Sequence, residues 1–223
     1  MIELNHVSKY FRVGEEKKYI LKDVSLTLPD VNIGILGRNG AGKSTLMRML
    51  GKIDFPNEGT IYSKKSFSWP LGLGGGSVPT MTGRANIKFV CNLYNKSYQE
   101  TKEIINYVKD FSELGEYFDM PIKTYSSGMK GRLGFGLSLA FDFDYLLIDE
   151  TLSTGDASFK HKAKEALKAK IDRCHILLVG HQMATLREMC QSGLLLHQGE
   201  LHYFEDIDDG IKHYEEINKE GKA

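Results

Sequence analysis

Apolar residues alternate with polar ones, or cluster in short β-branched runs, in three stretches near the start of the chain. They predict strands over Ile2–Val7, Tyr19–Leu28 and Val31–Leu36. The period then lengthens, and Lys43–Ile53 carries Leu46, Met47, Met49, Leu50 and Ile53 at helical spacing. A turn signal at Asp54–Gly59 precedes short strands near Thr60–Tyr62 and Ser66–Trp69. A glycine-rich loop follows at Leu71–Pro79, and helical spacing resumes over Gly83–Tyr94, over Tyr98–Leu114 and from near Ser126 to about Asp142. The remainder alternates: strand Tyr145–Ile148, helix Ala157–Ile171, strand His175–Val179, helix Met183–Cys190, strand Gly193–His197. In the charged tail Glu205–Ala223, residues Ile207, Ile211, Tyr214 and Ile217 recur at helical spacing, which predicts a helix capping the core.

Strands alternating with helices imply an α/β fold with a mostly parallel sheet covered on both faces. The expected organisation is one domain. Residues 1–79 and 143–205 form an α/β core that includes a small antiparallel part, 80–142 form an inserted helical sub-domain, and 206–223 form a C-terminal helix. A chain of 223 residues, 41% hydrophobic, is long enough to bury a substantial core.

Charge narrows the partners. Lysine plus arginine and aspartate plus glutamate balance at 29 each, so no field of one sign is available to hold nucleic acid or an acidic membrane surface. No nucleic-acid partner is expected. Cys91, Cys174 and Cys190 form no C-x-x-C pair and read as small core residues in a reducing compartment. The N-terminus mixes charged and apolar residues and does not read as a signal peptide. The longest apolar stretch, Leu133–Ile148, is interrupted by Asp142 and Asp144 and is shorter than the roughly 20 residues a membrane span requires. A soluble chain is expected, with any membrane-spanning part on another polypeptide.

The chemistry begins at Gly37. The segment Gly37-Arg-Asn39-Gly40-Ala41-Gly42-Lys43-Ser44-Thr45 matches G-x-x-x-x-G-K-[ST], with an apolar strand before it and a helix after it. Glycines let backbone N–H groups approach phosphates, and the helix N-terminus adds partial positive charge. Lys43 can reach the β- and γ-phosphates, and the Ser44 hydroxyl can ligate Mg²⁺. Tyr145–Ile148 runs into Asp149 and Glu150, which puts two carboxylates at the carboxyl end of a parallel strand, where ligands bind in open α/β sheets. Asp149 is expected to hold the metal and Glu150 to polarise the attacking water. His181 follows the next apolar strand and suits a contact to the γ-phosphate or that water. Ser126 reads as the N-cap of a second helix that opens Ser126-Ser127-Gly128-Met129. A second anion site of this kind suggests that two copies sandwich nucleotide between them.

These motifs, in this order, resemble the ATPase subunit of ABC transporters, a P-loop NTPase with a RecA-like core. Ser126–Met129 stands where that family has its signature, usually Leu-Ser-Gly-Gly-Gln, and Thr151–Ala157 stands where it has a loop ending in aspartate, here Asp156. Longer stretches, at 69–76, 82–90 and 117–150, resemble more narrowly the ATPases of capsular-polysaccharide exporters of Gram-negative bacteria. The resemblance implies ATP and Mg²⁺ as cofactors. It also implies a homodimer whose two sites each combine Gly37–Thr45 of one copy with Ser126, Ser127, Gly128, Met129 and Asp156 of the other. A separate polytopic permease is implied, with the polysaccharide carried by the assembled complex and this chain at the cytoplasmic face of the inner membrane. An exporter of O-antigen or teichoic acid is the alternative, and a soluble ABC ATPase without a transport role is another. The adenine-stacking aromatic falls on Phe11, with Tyr10 a near alternative. Two positions depart from the pattern. Ser127 and Met129 replace glycine and glutamine. Counting back from Thr82-Gly83, Val78 takes the place of a glutamine that in relatives reaches the metal.

Overall fold

The computed structural model describes residues 1–70, 77–149, 157–180 and 182–220. They form two compact units, one of Met1–Pro70, Phe143–Glu150 and Arg173–Ala223, the other of Leu71–Asp142 and Thr151–Asp172.

The first unit holds two sheets. In one, β1 (Ile2–Val13) lies between β2 (Glu16–Leu28) and β4 (Glu58–Tyr62), antiparallel to both. In the other, the order is β5 (Tyr145–Asp149), β6 (His175–Val179), β3 (Ile33–Leu36), β7 (Ser192–His197), β8 (Glu200–Phe204). Its first four strands are parallel, and β8 pairs antiparallel with β7. Strands β3, β5 and β6 are near-continuous apolar runs, as a parallel sheet buried on both faces requires. Ile2, Leu4, Leu21 and Leu28 of the antiparallel sheet share one buried cluster with Ile33, Ile35, Leu147, Leu177 and Leu194 of the parallel one. Leu46, Met47 and Leu50 of α1 (Lys43–Leu50) complete that cluster. Helix α6 (Met183–Met189) connects β6 to β7, and α7 (Ile207–Glu220) packs on β7, where the Cα atoms of Gly210 and Gly193 come close.

Three of the expected elements differ. The first two strands are longer than their apolar patterns and meet in a hairpin at Gly14. Ser66–Trp69 forms no ladder. Phe67 makes a single bridge to Tyr145, and the Leu147 N–H donates to the Ser68 hydroxyl at 2.9 Å, so a side chain covers the edge of β5 there. Strand β8 was absent from the sequence reading. Gln198 and Gly199 both have positive φ (48° and 89°), which turns β7 straight back on itself.

The second unit is helical: α2 (Gly83–Leu93), α3 (Tyr98–Ser112), two 3₁₀ segments (Gly115–Asp119 and Ile122–Thr124), α4 (Ser127–Ala140) and α5 (Ala157–Ile171). Its core is aromatic. The Phe111 ring stacks on Phe135 at 5.9 Å and meets Phe159 edge-on at 5.6 Å. Helix α4 buries Leu133, Phe135, Gly136, Leu137, Ser138 and Leu139, an almost unbroken run with no polar stripe. No described helix is long and apolar enough to cross a membrane.

Candidate functional site

The carboxyl ends of β3, β5 and β6 lie side by side, because Asp149 pairs with Val179 and Val179 with Ile35. The loop that leaves β3 opens there into a cleft of about 540 Å³ lined by Ile20, Asn39, Gly40, Gly42, Lys43, Ser44, Thr45, Asp149 and Val179. Gly37 and Ala41, also in this loop, do not line the cleft. The N-cap of α1 is Gly42, which has no side chain to satisfy the first amides of the helix. Those N–H groups and the positive end of the helix therefore remain for an anion.

The Lys43 ammonium is held over the loop, donating to the Gly37 carbonyl at 2.7 Å and the Arg38 carbonyl at 3.2 Å. Burial pushes its pKa down and the Asp149 carboxylate pushes it back up, the burial being the larger cause. The Ser44 hydroxyl donates to Asp149 Oδ2 at 2.8 Å, although 105 positions separate the two in sequence. β6 lies between β5, which ends in Asp149, and β3, whose following loop leads to Ser44 in α1, so the helix start bridges one intervening strand to reach the carboxylate. A hydroxyl and a carboxylate in contact are the hard oxygen donors that Mg²⁺ prefers, and the pair fits that ion. Glu150 and His181, expected beside Asp149 and Val179, lie outside the described residues, as does Asp156.

Of the two aromatic candidates, Tyr10 is already engaged, with the Lys17 ammonium 4.1 Å from its ring centroid and Tyr19 tilted against it at 5.3 Å. Phe11 is exposed on the far part of the hairpin. Neither lines the cleft. Ile20 and Val179 do, and sequence reading missed both. Their apolar character marked them as core, which they also are.

The expected second anion site is in the helical unit. Ser126 is the N-cap of α4, its hydroxyl accepting from the Met129 N–H at 3.2 Å. Ser126, Gly128 and Met129 share a recess of about 380 Å³ with Glu113, Leu114, Tyr117 and Arg132, while Ser127 is exposed beside it. Glu113 caps α3 with φ at +53°, and the Lys162 ammonium holds its carboxylate at 2.5 Å. The Arg132 guanidinium lies 4.6 Å from the centroid of the Phe159 ring. None of these four lining residues was foreseen, and a glutamate in left-handed conformation leaves no sequence signal.

Val78 is exposed at the start of the described segment that leads to α2, its N–H donating to Asn86 Oδ1 at 2.7 Å. Asn86 was also unforeseen.

Residues 21–153, more than half of the chain, match the family described as ABC transporter. The polysialic acid transport ATP-binding protein KpsT of Escherichia coli is 45% identical over 216 residues, covering 96% of each chain. The capsule polysaccharide export ATP-binding protein CtrD of Neisseria meningitidis serogroup B is 40% identical, covering 97% of this chain and 100% of that one. Among solved structures, the dimeric bacterial ABC transporter cassette MJ0796 superposes with a TM-score of 0.76 at 24% identity, covering 93% of this chain and 99% of that chain, a likeness of fold. The chain belongs to the ABC transporter family, as an ATPase cassette.

Proposed function

We propose that this chain is the ATP-hydrolysing subunit of a capsular-polysaccharide exporter, working as a homodimer beneath a separate polytopic permease at the cytoplasmic face of the inner membrane. The observation that carries the substrate class is end-to-end similarity at 40–45% identity to proteins named for polysialic acid transport and capsule export. The Ser44–Asp149 contact supports the ATPase chemistry.

In this reading the amides at the start of α1 and the Lys43 ammonium bind the β- and γ-phosphates, and Phe11 stacks on the adenine. Ser44 and Asp149 would hold Mg²⁺, which would supply charge neutralisation on the phosphate oxygens. Glu150 takes the proton of the attacking water, and His181 orients the water or the γ-phosphate. Ser126, Ser127, Gly128 and Met129 of the second copy, with its Asp156, close the site. Charge-assisted contacts across the γ-phosphate favour the closed dimer, hydrolysis removes them, and the permease converts that population shift into polymer movement. Residues 80–142 act as the sub-domain that carries the signature, and 206–223 as a capping helix.

Deleting the gene tests the substrate class. The expected result is polymer retained inside the deletion strain, and in cells that carry the tagged chain a polytopic membrane protein should copurify with it. Normal surface polysaccharide in the deletion strain overturns the export reading and leaves the ATPase reading standing.

A further inference from the structure

We propose that Tyr125 is a positioning residue for the phosphate site at Ser126–Met129, and that through Gly83 it locks this site to the loop 78–82. The inference rests on the reading of Ser126–Met129 as a site for nucleotide held by the second copy.

Tyr125 immediately precedes the N-cap of α4, so its seating sets where the first turn of that helix points. The ring is buried, 5% exposed, and the hydroxyl donates to the Tyr117 carbonyl at 2.6 Å. That hydroxyl occupies space which residue 83 leaves free. A Cβ at Gly83 would lie 2.6 Å from it and 2.9 Å from the Phe118 carbonyl oxygen. Gly83 is the first residue of α2, and the start of that helix therefore packs directly on the approach to α4.

The residues just before Gly83 are tied to those just before Tyr125. The Ile122 N–H donates to the Met81 carbonyl at 2.9 Å and the Lys123 N–H to the Pro79 carbonyl at 2.8 Å. Asn86, 3% exposed, fixes the same loop from the other side. Its Oδ1 accepts from the Val78 N–H, and its Nδ2 donates to the carbonyls of Val78, Met81 and Thr82 at 3.0–3.3 Å. Peptide hydrogen bonds and a packed ring leave little slack, so displacing 78–82 carries 122–125 with it. The side chain of Val78 has no lone pair to offer a metal. The route from this loop to nucleotide runs instead through Tyr125 to the γ-phosphate that the second copy holds.

Tyr125→Phe keeps the ring and deletes the hydrogen bond, Gly83→Ala pushes the hydroxyl aside, and both are compared with Ser126→Ala in full-length protein. Expected are an ATP Kd for the single chain that is unchanged within about twofold and a kcat lowered roughly three- to tenfold, the range of one lost hydrogen bond. A matching fall in closed dimer is expected in a Glu150→Gln background, read by size exclusion. The double variant should be no worse than Gly83→Ala alone, since the two act on one contact. If Gly83→Ala fails to fold, Tyr125→Phe decides. Unchanged kcat and closure in Tyr125→Phe, with Ser126→Ala defective, overturn the positioning role. A parallel loss of ATP affinity also overturns it, because damage has then spread beyond the helical unit. Full activity of Ser126→Ala overturns the reading of the phosphate site, and this proposal with it.

Discussion

Gly40 and Gly42 are both in the loop between β3 and α1 with positive φ, 79° and 108°, yet they need glycine to different degrees. A Cβ at Gly40 meets nothing within 4 Å, so alanine there costs only left-handed strain, about 1–2 kcal/mol. A Cβ at Gly42 would lie 2.2 Å from Ile20 Cγ2, an overlap that must move a buried side chain lining the cleft. Gly40→Ala is expected to lower the Tm modestly and keep ATP binding. Gly42→Ala is expected to lower the Tm further and lose binding, as measured by thermal unfolding and calorimetric titration. Val78 makes the opposite case, a residue notable for what it lacks. In the proposed site, Ser44, Asp149, phosphate and water would supply enough oxygen for Mg²⁺, which usually keeps several waters. Val78→Gln should therefore leave ATP affinity within a few-fold while changing how strongly the proposed permease stimulates hydrolysis. If Ser77→Ala raises the Mg²⁺ requirement and Val78→Gln changes nothing, the serine occupies the metal-facing position instead.

Among the elements, α3 begins with a reciprocal cap. The Glu100 N–H donates to the Ser97 hydroxyl, and the Ser97 N–H donates to the Glu100 carboxylate at 2.8 Å. The Ser97 hydroxyl and N–H, with the Lys96 ammonium, hold the Glu100 carboxyl down at about 2, against an ordinary value of 4.5. A depressed folded-state pKa stabilises above the unfolded value, and that stability is lost as pH falls from about 4.5 through about 2. Removing the cap with Ser97→Ala is expected to cost about 1 kcal/mol at neutral pH, and Glu100→Gln should flatten the acid limb of the unfolding profile, both read by denaturant titration. The elements that sequence revealed were those whose pattern and chemistry coincide. The strand before Gly37 and the helix after Lys43 are bracketed by one motif, and the helix from Ser126 starts at its cap. Strand β8 went unread because a hairpin closed by Gln198-Gly199 lacks the usual asparagine or aspartate. The recess beside Ser126 went unread because Glu113, Tyr117 and Arg132 meet through tertiary packing. The clamp at Asn86 escaped notice for a related reason, since an asparagine inside a helix ordinarily signals nothing.

For the whole molecule, the deciding question is whether one chain contains a complete site. The cleft at Lys43 and the recess at Ser126 belong to different units, and each presents an uncapped or serine-capped helix start to an anion. If each nucleotide is held by the cleft of one copy and the recess of the other, two inactive variants can complement. Lys43→Ala removes the phosphate-binding cation from a cleft, and Ser126→Ala removes the hydroxyl from a recess. In a mixed dimer, one interface combines both defects, while the other joins the intact cleft of the Ser126→Ala copy to the intact recess of the Lys43→Ala copy. Mixing the two proteins should therefore restore part of the ATPase activity that neither shows alone, with the gain depending on total concentration as a dimer requires. Were each site complete within one chain, every copy in the mixture would carry a broken site, and the mixture would hydrolyse no faster than its components. Single-turnover ATP hydrolysis after equilibration of the two variants separates these outcomes. Adding Glu150→Gln to the Ser126→Ala copy, whose cleft is the intact one, should abolish the recovered turnover and retain the mixed dimer. The same substitution in the Lys43→Ala copy should leave the recovery in place, because that copy contributes only its recess.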